Sequence, residues 1–312
     1  MSSVAAEVGI DVSSDRLDVS VDEGRPFRVA NTPEGCKALA ERLPKGAVVH
    51  LEASGGYERI ARRTLTRAGF EVRTHDPLKV RRRAQSDGRR AKTDALDAVS
   101  LSRDGGSLRP QQEKSCSREE ACDLSRTIEA LKSTAAQMKV RARVPGLDAF
   151  ARKELSACAC DLNRRAKIME KEALRRLKTS SLAHRYELAV SVEGVGPCLG
   201  RVVCCELPES IEPYTDPQLT SYSGVAPIDD TSGNKKGPAR IGKGNSHLKA
   251  ALYMPAVGCL RHQPWAKDLY ARLRARGRVH QQAIVAVMRR LLLRILEVIR
   301  RGTPWILKQR AT

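Results

Sequence analysis

From residue 8 the chain alternates apolar and polar positions with a period of two. Val8, Ile10 and Val12 share one side, Gly9 and Asp11 the other, and Leu17, Val19 and Val21 resume the alternation after Ser13-Ser14-Asp15. Only a pleated strand places every second residue on one face, so a β-hairpin is expected over 4–31, with a third short strand at 27–30. Asn31-Thr32-Pro33 then offers a capping residue followed by proline in the first turn of a helix. The run AVVHL at 47–51 reads as a buried strand, followed by a Ser-Gly-Gly turn and a helix over 57–68. A further strand is expected at 70–74, ending at Asp76-Pro77, and a helix at 93–103 ends before Asp104-Gly105-Gly106. The order β-β-β-α-β-α calls for an α/β domain with a mixed sheet over 1–108.

At residue 109 the period changes. Leu124, Ile128, Leu131, Ala135 and Met138 recur every three or four residues. Beyond Pro145-Gly146, Leu155, Leu162 and Met169 recur every seven, with Ala166 and Ala173 between them. A helical hairpin over 109–185 follows, packing either as a coiled coil, within or between subunits, or as two ordinary amphipathic helices. Residues 186–312 form a third region. Gly194-Val195-Gly196-Pro197 opens an apolar helix to about 207, a Gly- and Lys-rich loop spans 221–245, and basic amphipathic helices are expected near 247–259 and 281–300.

Charge narrows the partners. Lys and Arg number 56 against 36 acids, a net +20. From residue 235 onward there are 18 Lys/Arg and two acids, Asp268 and Glu297, and the run KVRRRAQSDGRRAK at 79–92 holds seven more cations. Such a field favours polyanions, because each neutralised phosphate releases counterions. An anionic membrane surface is the alternative, but no apolar run approaches spanning length. Aromatics make up 4% of the chain, which disfavours an extended base-stacking platform. The nine cysteines show no C-x-x-C pair and no zinc spacing, so reduced, mostly packing thiols are expected. The opening residues have neither a charged leader nor a long apolar core, and a cytoplasmic, nucleoid-associated protein is expected.

Three constellations could carry chemistry. Asp11 and Glu52 sit where adjacent strands can bring them to one sheet rim, while Asp94 and Asp97 share a helix face. Clustered carboxylates repel, and oxygen ligands favour a hard cation: Mg²⁺ first, two ions per site, with Mn²⁺ possible. Taken singly, each acid is ordinary surface. The second constellation is Ser232, beside Gly233 and followed by Lys235, Lys236, Arg240 and Lys243. The cations could hold a scissile phosphate and the hydroxyl could attack it, although serine in a turn is common on its own account. Gly194 and Gly196 form the third, where backbone N–H groups could meet a phosphate in the manner of a helix-hairpin-helix, or simply turn the chain. Arg81, Arg82, Arg83, Arg89, Arg90 and Lys92 complete the expected nucleic-acid surface.

Six blocks in the same order, VGIDVSSDRLDVSV with NTPEGCKAL, LEASGGYER, AKTDALDA, SVEGVGP, SGVAP with TSG, and LYMPAV with LRARG and AVMRRLLL, resemble the DEDD-type serine transposases of the insertion-sequence-110 family, relatives of the Piv-type DNA invertases. The resemblance runs nearly the whole length, with Ser54 standing in a Thr place. It implies an RNase H-type, RuvC-like first domain with Asp11, Glu52, Asp94 and Asp97 as metal ligands, a coiled-coil segment, and a mainly helical transposase domain with Ser232 as nucleophile. It also implies donor and target double-stranded DNA, a structured guide (bridge) RNA, and a dimer or tetramer with composite sites. Competing readings are a junction-resolving nuclease using water, a sugar-kinase-like ATPase, against which the missing phosphate-binding glycine loop counts, and a binding scaffold without activity.

Overall fold

The computed structural model describes residues 5–86, 94–111, 115–228, 231–232, 235–236, 240–241 and 244–305. The chain divides into two compact units, 1–113 and 114–312.

Unit 1 is built on a five-stranded sheet. The strands are β1 (Glu7–Val12), β2 (Arg16–Val21), β3 (Phe27–Ala30), β4 (Val48–Glu52) and β5 (Glu71–His75). Their order is β3-β2-β1-β4-β5, antiparallel across the first three and parallel from β1 through β4 to β5. The alternation read from the sequence is obeyed: Val8, Ile10, Leu17 and Val19 are fully buried, in one core with Leu39 of α1 (Pro33–Arg42) and Leu65 of α2 (Arg59–Arg67). Thr32 caps α1 as expected, accepting from Gly35 N at 3.1 Å, with Pro33 in the first turn.

The other face of the sheet belongs to α4 (Asp94–Asp104). Here one residue decides the packing. A Cβ on Gly9 would lie far inside van der Waals contact of Ala98 O and Ser102 N, so the helix backbone rests directly on β1 where the strand lacks a side chain. The basic run, to which the sequence assigned no element, is helical in its first half, α3 (Pro77–Ser86). Proline suits a first helical turn, and Asp76 caps it by accepting from Leu78 N at 2.8 Å.

Unit 2 contains the helical hairpin, α5 (Cys116–Arg141) and α6 (Ala149–Lys178), the latter capped by Asp148. The α6 seam differs in detail from the leucine heptad. Ala159, Ala166 and Ala173, seven apart, are the buried positions, while Leu155, Leu162 and Met169 stay partly exposed at its flanks. Small residues let the helices approach closely, so the flanking side chains overhang the contact. The rest is helical: α7 (Ala183–Ser191), α8 (Pro197–Glu206), α9 (Asp216–Tyr222), α10 (Ser246–His262), α11 (Pro264–Ala275) and α12 (His280–Arg301). Helix α11 was not anticipated: Gln263-Pro264 ends one helix and opens the next. The two tryptophans stack on one guanidinium, with Arg294 4.0 Å from the Trp265 centroid and 5.1 Å from Trp305. Cys36, Cys122, Cys204, Cys205 and Cys259 are buried thiols, whereas Cys158, Cys160 and Cys198 are exposed and so do not pack as expected. Among the described residues no helix is long and apolar enough to cross a membrane.

The Gly9 contact yields a test. Gly9→Ala should destabilise unit 1 by about 3 kcal/mol or more in urea unfolding, because backbone must move to admit the methyl. Gly258→Ala, whose Cβ would meet nothing within 4 Å in the middle of α10, should be neutral or stabilising by up to about 1 kcal/mol.

Candidate active site

Strand register brings the first two acids together. Ile10 of β1 faces Leu51 of β4, so Asp11 and Glu52 follow side by side at the carboxyl ends of parallel strands. The α4 packing at Gly9 supplies the others: Asp94 and Asp97 lie in the first turn of that helix. All four are partly exposed. Their mutual influence is visible at Asp11, whose pKa rises to about 6, first because it is half-buried, then through repulsion by Asp94, Glu52, Asp97 and Asp18.

Asp18, opposite Asp11 on β2, is of a different kind. It is almost fully buried and neutralised, accepting from Arg28 Nε at 2.8 Å with Arg16 Nε 3.5 Å away. Arg16 also reaches across to α4, donating from Nη2 to Asp94 Oδ2 at 2.8 Å. Sequence reasoning passed over Asp18 and Arg16, although the turn at 13–15 fixes position 18 opposite 11. It also passed over a buried polar column in which His50 Nε2 lies 2.5 Å from Glu7 Oε2 and His50 Nδ1 lies 2.9 Å from His75 Nε2. His75 stands in register with Glu52 and is wholly buried, and burial, reinforced by His50, lowers its pKa to about 4.

In kind, the cluster suits a hard divalent cation: oxygen donors only, too much like charge, partial access to solvent. In position it is not a finished cage. Among the described residues no group of three or more His, Cys, Asp or Glu side chains converges closely enough to hold an ion, and Arg16 occupies Asp94.

The remaining expected residues fall differently. Arg81, Arg82 and Arg83 lie exposed on α3, with Arg83 Nε 3.9 Å from Asp104 Oδ1. Arg89, Arg90, Lys92 and Lys243 lie outside the described residues. The segment expected as a flexible loop carries two minimal ladders: β6 (Pro227–Ile228) with β9 (Arg240–Ile241), and β7 (Thr231–Ser232) with β8 (Lys235–Lys236). Two-residue strands are too short to show a period of two, hence the difference. Ser232 pairs with Lys235 in the inner ladder; the side chains of Ser232, Lys235, Lys236 and Arg240 lie outside the described residues. Gly194 turns the chain at φ +89, and a Cβ there would collide with Cys259 Sγ, so packing alone accounts for that glycine. Gly196 caps α8 with open space around it.

An acidic strand-end cluster beside a basic helix, with a separate cation-rich hairpin, is the chemistry of enzymes that act on nucleic-acid phosphodiesters. Comparison with known proteins narrows the class. Residues 8–144 match the model of the IS110 DEDD transposases, and residues 186–271 match "Transposase IS116/IS110/IS902 family". The chain is 27% identical to a pilin gene-inverting protein of Moraxella bovis over 96% of its own length and 97% of the relative's. It is 32% identical to an insertion element IS110 protein of Streptomyces coelicolor, over 36% of this chain and 28% of that protein. A mini-circle putative transposase for IS117 from the same organism is 36% identical over 35% of this chain and 26% of that protein. The chain belongs to the IS110/IS116/IS902 transposase family, and is an enzyme of DNA transposition and recombination.

Two pH effects follow, with opposite signs. Asp11 is raised, so the folded state holds its proton more tightly and stability falls as pH climbs from about 4 to about 6. Asp11→Asn should therefore stabilise the metal-free protein at neutral pH by about 1 kcal/mol, after allowing for solvent screening of a half-buried group. Its melting temperature should rise a few degrees. His75 is lowered, so the unfolded state binds the proton first and stability declines as pH falls from 6.5 towards 4. Because Asp11 works the other way over the same window, the check is the difference: as pH falls from 6.5 to 4 the melting temperature of His75→Gln should rise relative to that of wild type.

Proposed function

We propose that the chain cuts and rejoins DNA by a metal-dependent, serine-mediated strand exchange directed by a guide RNA. The observation that carries the reading is the placement of four carboxylates: Asp11 and Glu52 at the ends of neighbouring parallel strands, and Asp94 and Asp97 in the first turn of the helix that rests on Gly9, an oxygen-only set that a divalent cation would neutralise. The strand order, three antiparallel strands followed by two parallel ones, supports an RNase H-type, RuvC-like assignment for unit 1. In this reading Asp11, Glu52, Asp94 and Asp97 would hold two Mg²⁺ ions, with Mn²⁺ able to substitute. Binding requires Asp94 to leave Arg16, which then rests on Asp18. The bound cation supplies Lewis acidity at the scissile phosphate.

Ser232 Oγ attacks the phosphorus, a phosphoserine ester forms, and the leaving sugar oxygen takes up a proton. Attack by the hydroxyl of another strand reverses the step and rejoins DNA. Lys235, Lys236, Arg240 and Lys243 balance the charge on phosphorus. Donor and target duplexes and the guide RNA lie along backbone-reading basic surfaces, among them Arg81, Arg82 and Arg83 on α3, the basic stretch at 89–92, and the Gly194–Gly196 turn. The exposed apolar side chains of Val140, Val144 and Phe150 at the hairpin tip support assembly into a dimer or tetramer. Three domains, 1–108, 109–185 and 186–312, would divide this labour.

With donor, target and guide supplied together, wild type should give a covalent protein–DNA adduct that Ser232→Ala abolishes. Asp11→Ala or Asp97→Ala should lose cleavage altogether, by about 10³-fold or more for groups placed at the reacting phosphate. Normal cleavage by Ser232→Ala with free ends and no adduct would instead identify a nuclease that uses water.

A further inference from the structure

The base of the serine-bearing segment is tightly closed. Gly224 (φ +69) and Gly244 cross backbone to backbone, and a Cβ on Gly244 would strike Gly224 N. Just beyond the crossing, Asn245 uses its backbone and both ends of its amide to fix the exit. Its backbone N donates to Tyr222 O at 2.7 Å, its Oδ1 accepts from Leu248 N at 3.0 Å as the α10 cap, and its Nδ2 donates to Glu206 Oε2 at 2.7 Å.

Glu206 is a nearly buried carboxylate at the end of α8. Tyr222 OH donates to its backbone oxygen at 2.8 Å, tying in the entry side of the same segment. Its second partner comes from the helical hairpin: Arg126 of α5 approaches both carboxylate oxygens, at 3.2 and 3.4 Å. One turn further along α5, Glu129 Oε2 lies 2.6 Å from His247 Nδ1, two residues past Asn245. Arg126 and Glu129, three apart, share one face of α5. Two polar struts therefore run from the hairpin to the exit of the loop, through a site where an unmatched carboxylate is costly.

We infer that Arg126, Glu206 and Asn245, seconded by Glu129 and His247, are positioning residues that couple the helical hairpin to the presentation of Ser232. The inference rests on the serine reading above. The β6–β9 and β7–β8 ladders are only two residues long, and the segment that carries them is pinned where Gly224 and Gly244 cross, so its direction is set at that root. Movement of α5, for instance when the hairpin engages another subunit or nucleic acid, is transmitted to that root by these hydrogen bonds, alongside the apolar contact of Ala121 and Cys122 with Cys204 and Cys205 of α8.

The test uses the full chain with guide and both DNAs. Arg126→Met would strand the Glu206 carboxylate and risk misfolding, so the principal variant is the neutral pair Arg126→Met with Glu206→Gln. It keeps an acceptor for Asn245 and removes the charged strut to the hairpin, leaving Glu129 with His247 in place. Adduct formation should slow by about 10- to 100-fold, the scale on which misplaced reacting groups lose rate. DNA affinity and melting temperature should stay at wild-type values, while amide exchange at 245–248 accelerates. His247→Gln should do the same to a smaller degree. Wild-type adduct rates in the paired variant would overturn the inference. So would a slowing matched by an equal loss of DNA affinity or melting temperature, which would make these residues merely structural. An adduct persisting in Ser232→Ala would sink the serine reading instead; exchange at 245–248, which does not depend on the nucleophile, would still decide whether the hairpin holds the root.

Discussion

The close approach of α4 to β1 at Gly9 is the contact on which the first unit depends. A strand residue without a side chain lets a helix backbone lie against the sheet, and that helix begins with two aspartates. The same contact therefore does two jobs. It closes the polar face of the sheet and delivers Asp94 and Asp97 to the rim where Asp11 and Glu52 end their strands. The glycine before the aspartate is a packing requirement, and the acidic cluster is its consequence.

The cluster also shows how the unit balances stability against chemistry. Asp18 is buried but neutralised by Arg28 and Arg16, so it behaves as framework. Asp11, two strand positions from the same packing glycine, is left among like charges. Arg16 bridges the two regimes, holding Asp94 with one nitrogen and lying near Asp18 with another. A folded protein tolerates such a conflict where a bound cation resolves it. The buried His50–His75 pair beneath 3-10 residue Gly105 adds a polar layer whose neutrality depends on burial.

Much of this was legible in the chain before any coordinates. Period-two alternation gave the three opening strands and their faces, because one face had to be apolar, and Thr32-Pro33 marked the first helix start to within a residue. The four acids were recognisable only as a set. Their proximity depends on register and on Gly9, which spacing alone does not encode. Asp18 and Arg16 escaped notice because a charged residue in a strand looks solvated until its cross-strand partner is known. Helix α11, opened by Pro264 in its first turn, was passed over between the two helices that were expected. The alanine seam was visible, but leucine drew attention to itself, and the deepest positions proved to be the smallest. The ladders around Ser232 were too short to leave any periodic trace.

The glycine crossing at 224 and 244 has an evolutionary corollary. A segment whose two ends are already pinned together gains length cheaply, since doubling it adds only about 0.6 kcal/mol of closure entropy. Insertions and deletions between the pins can thus lengthen or shorten the arm without disturbing the helices beneath it.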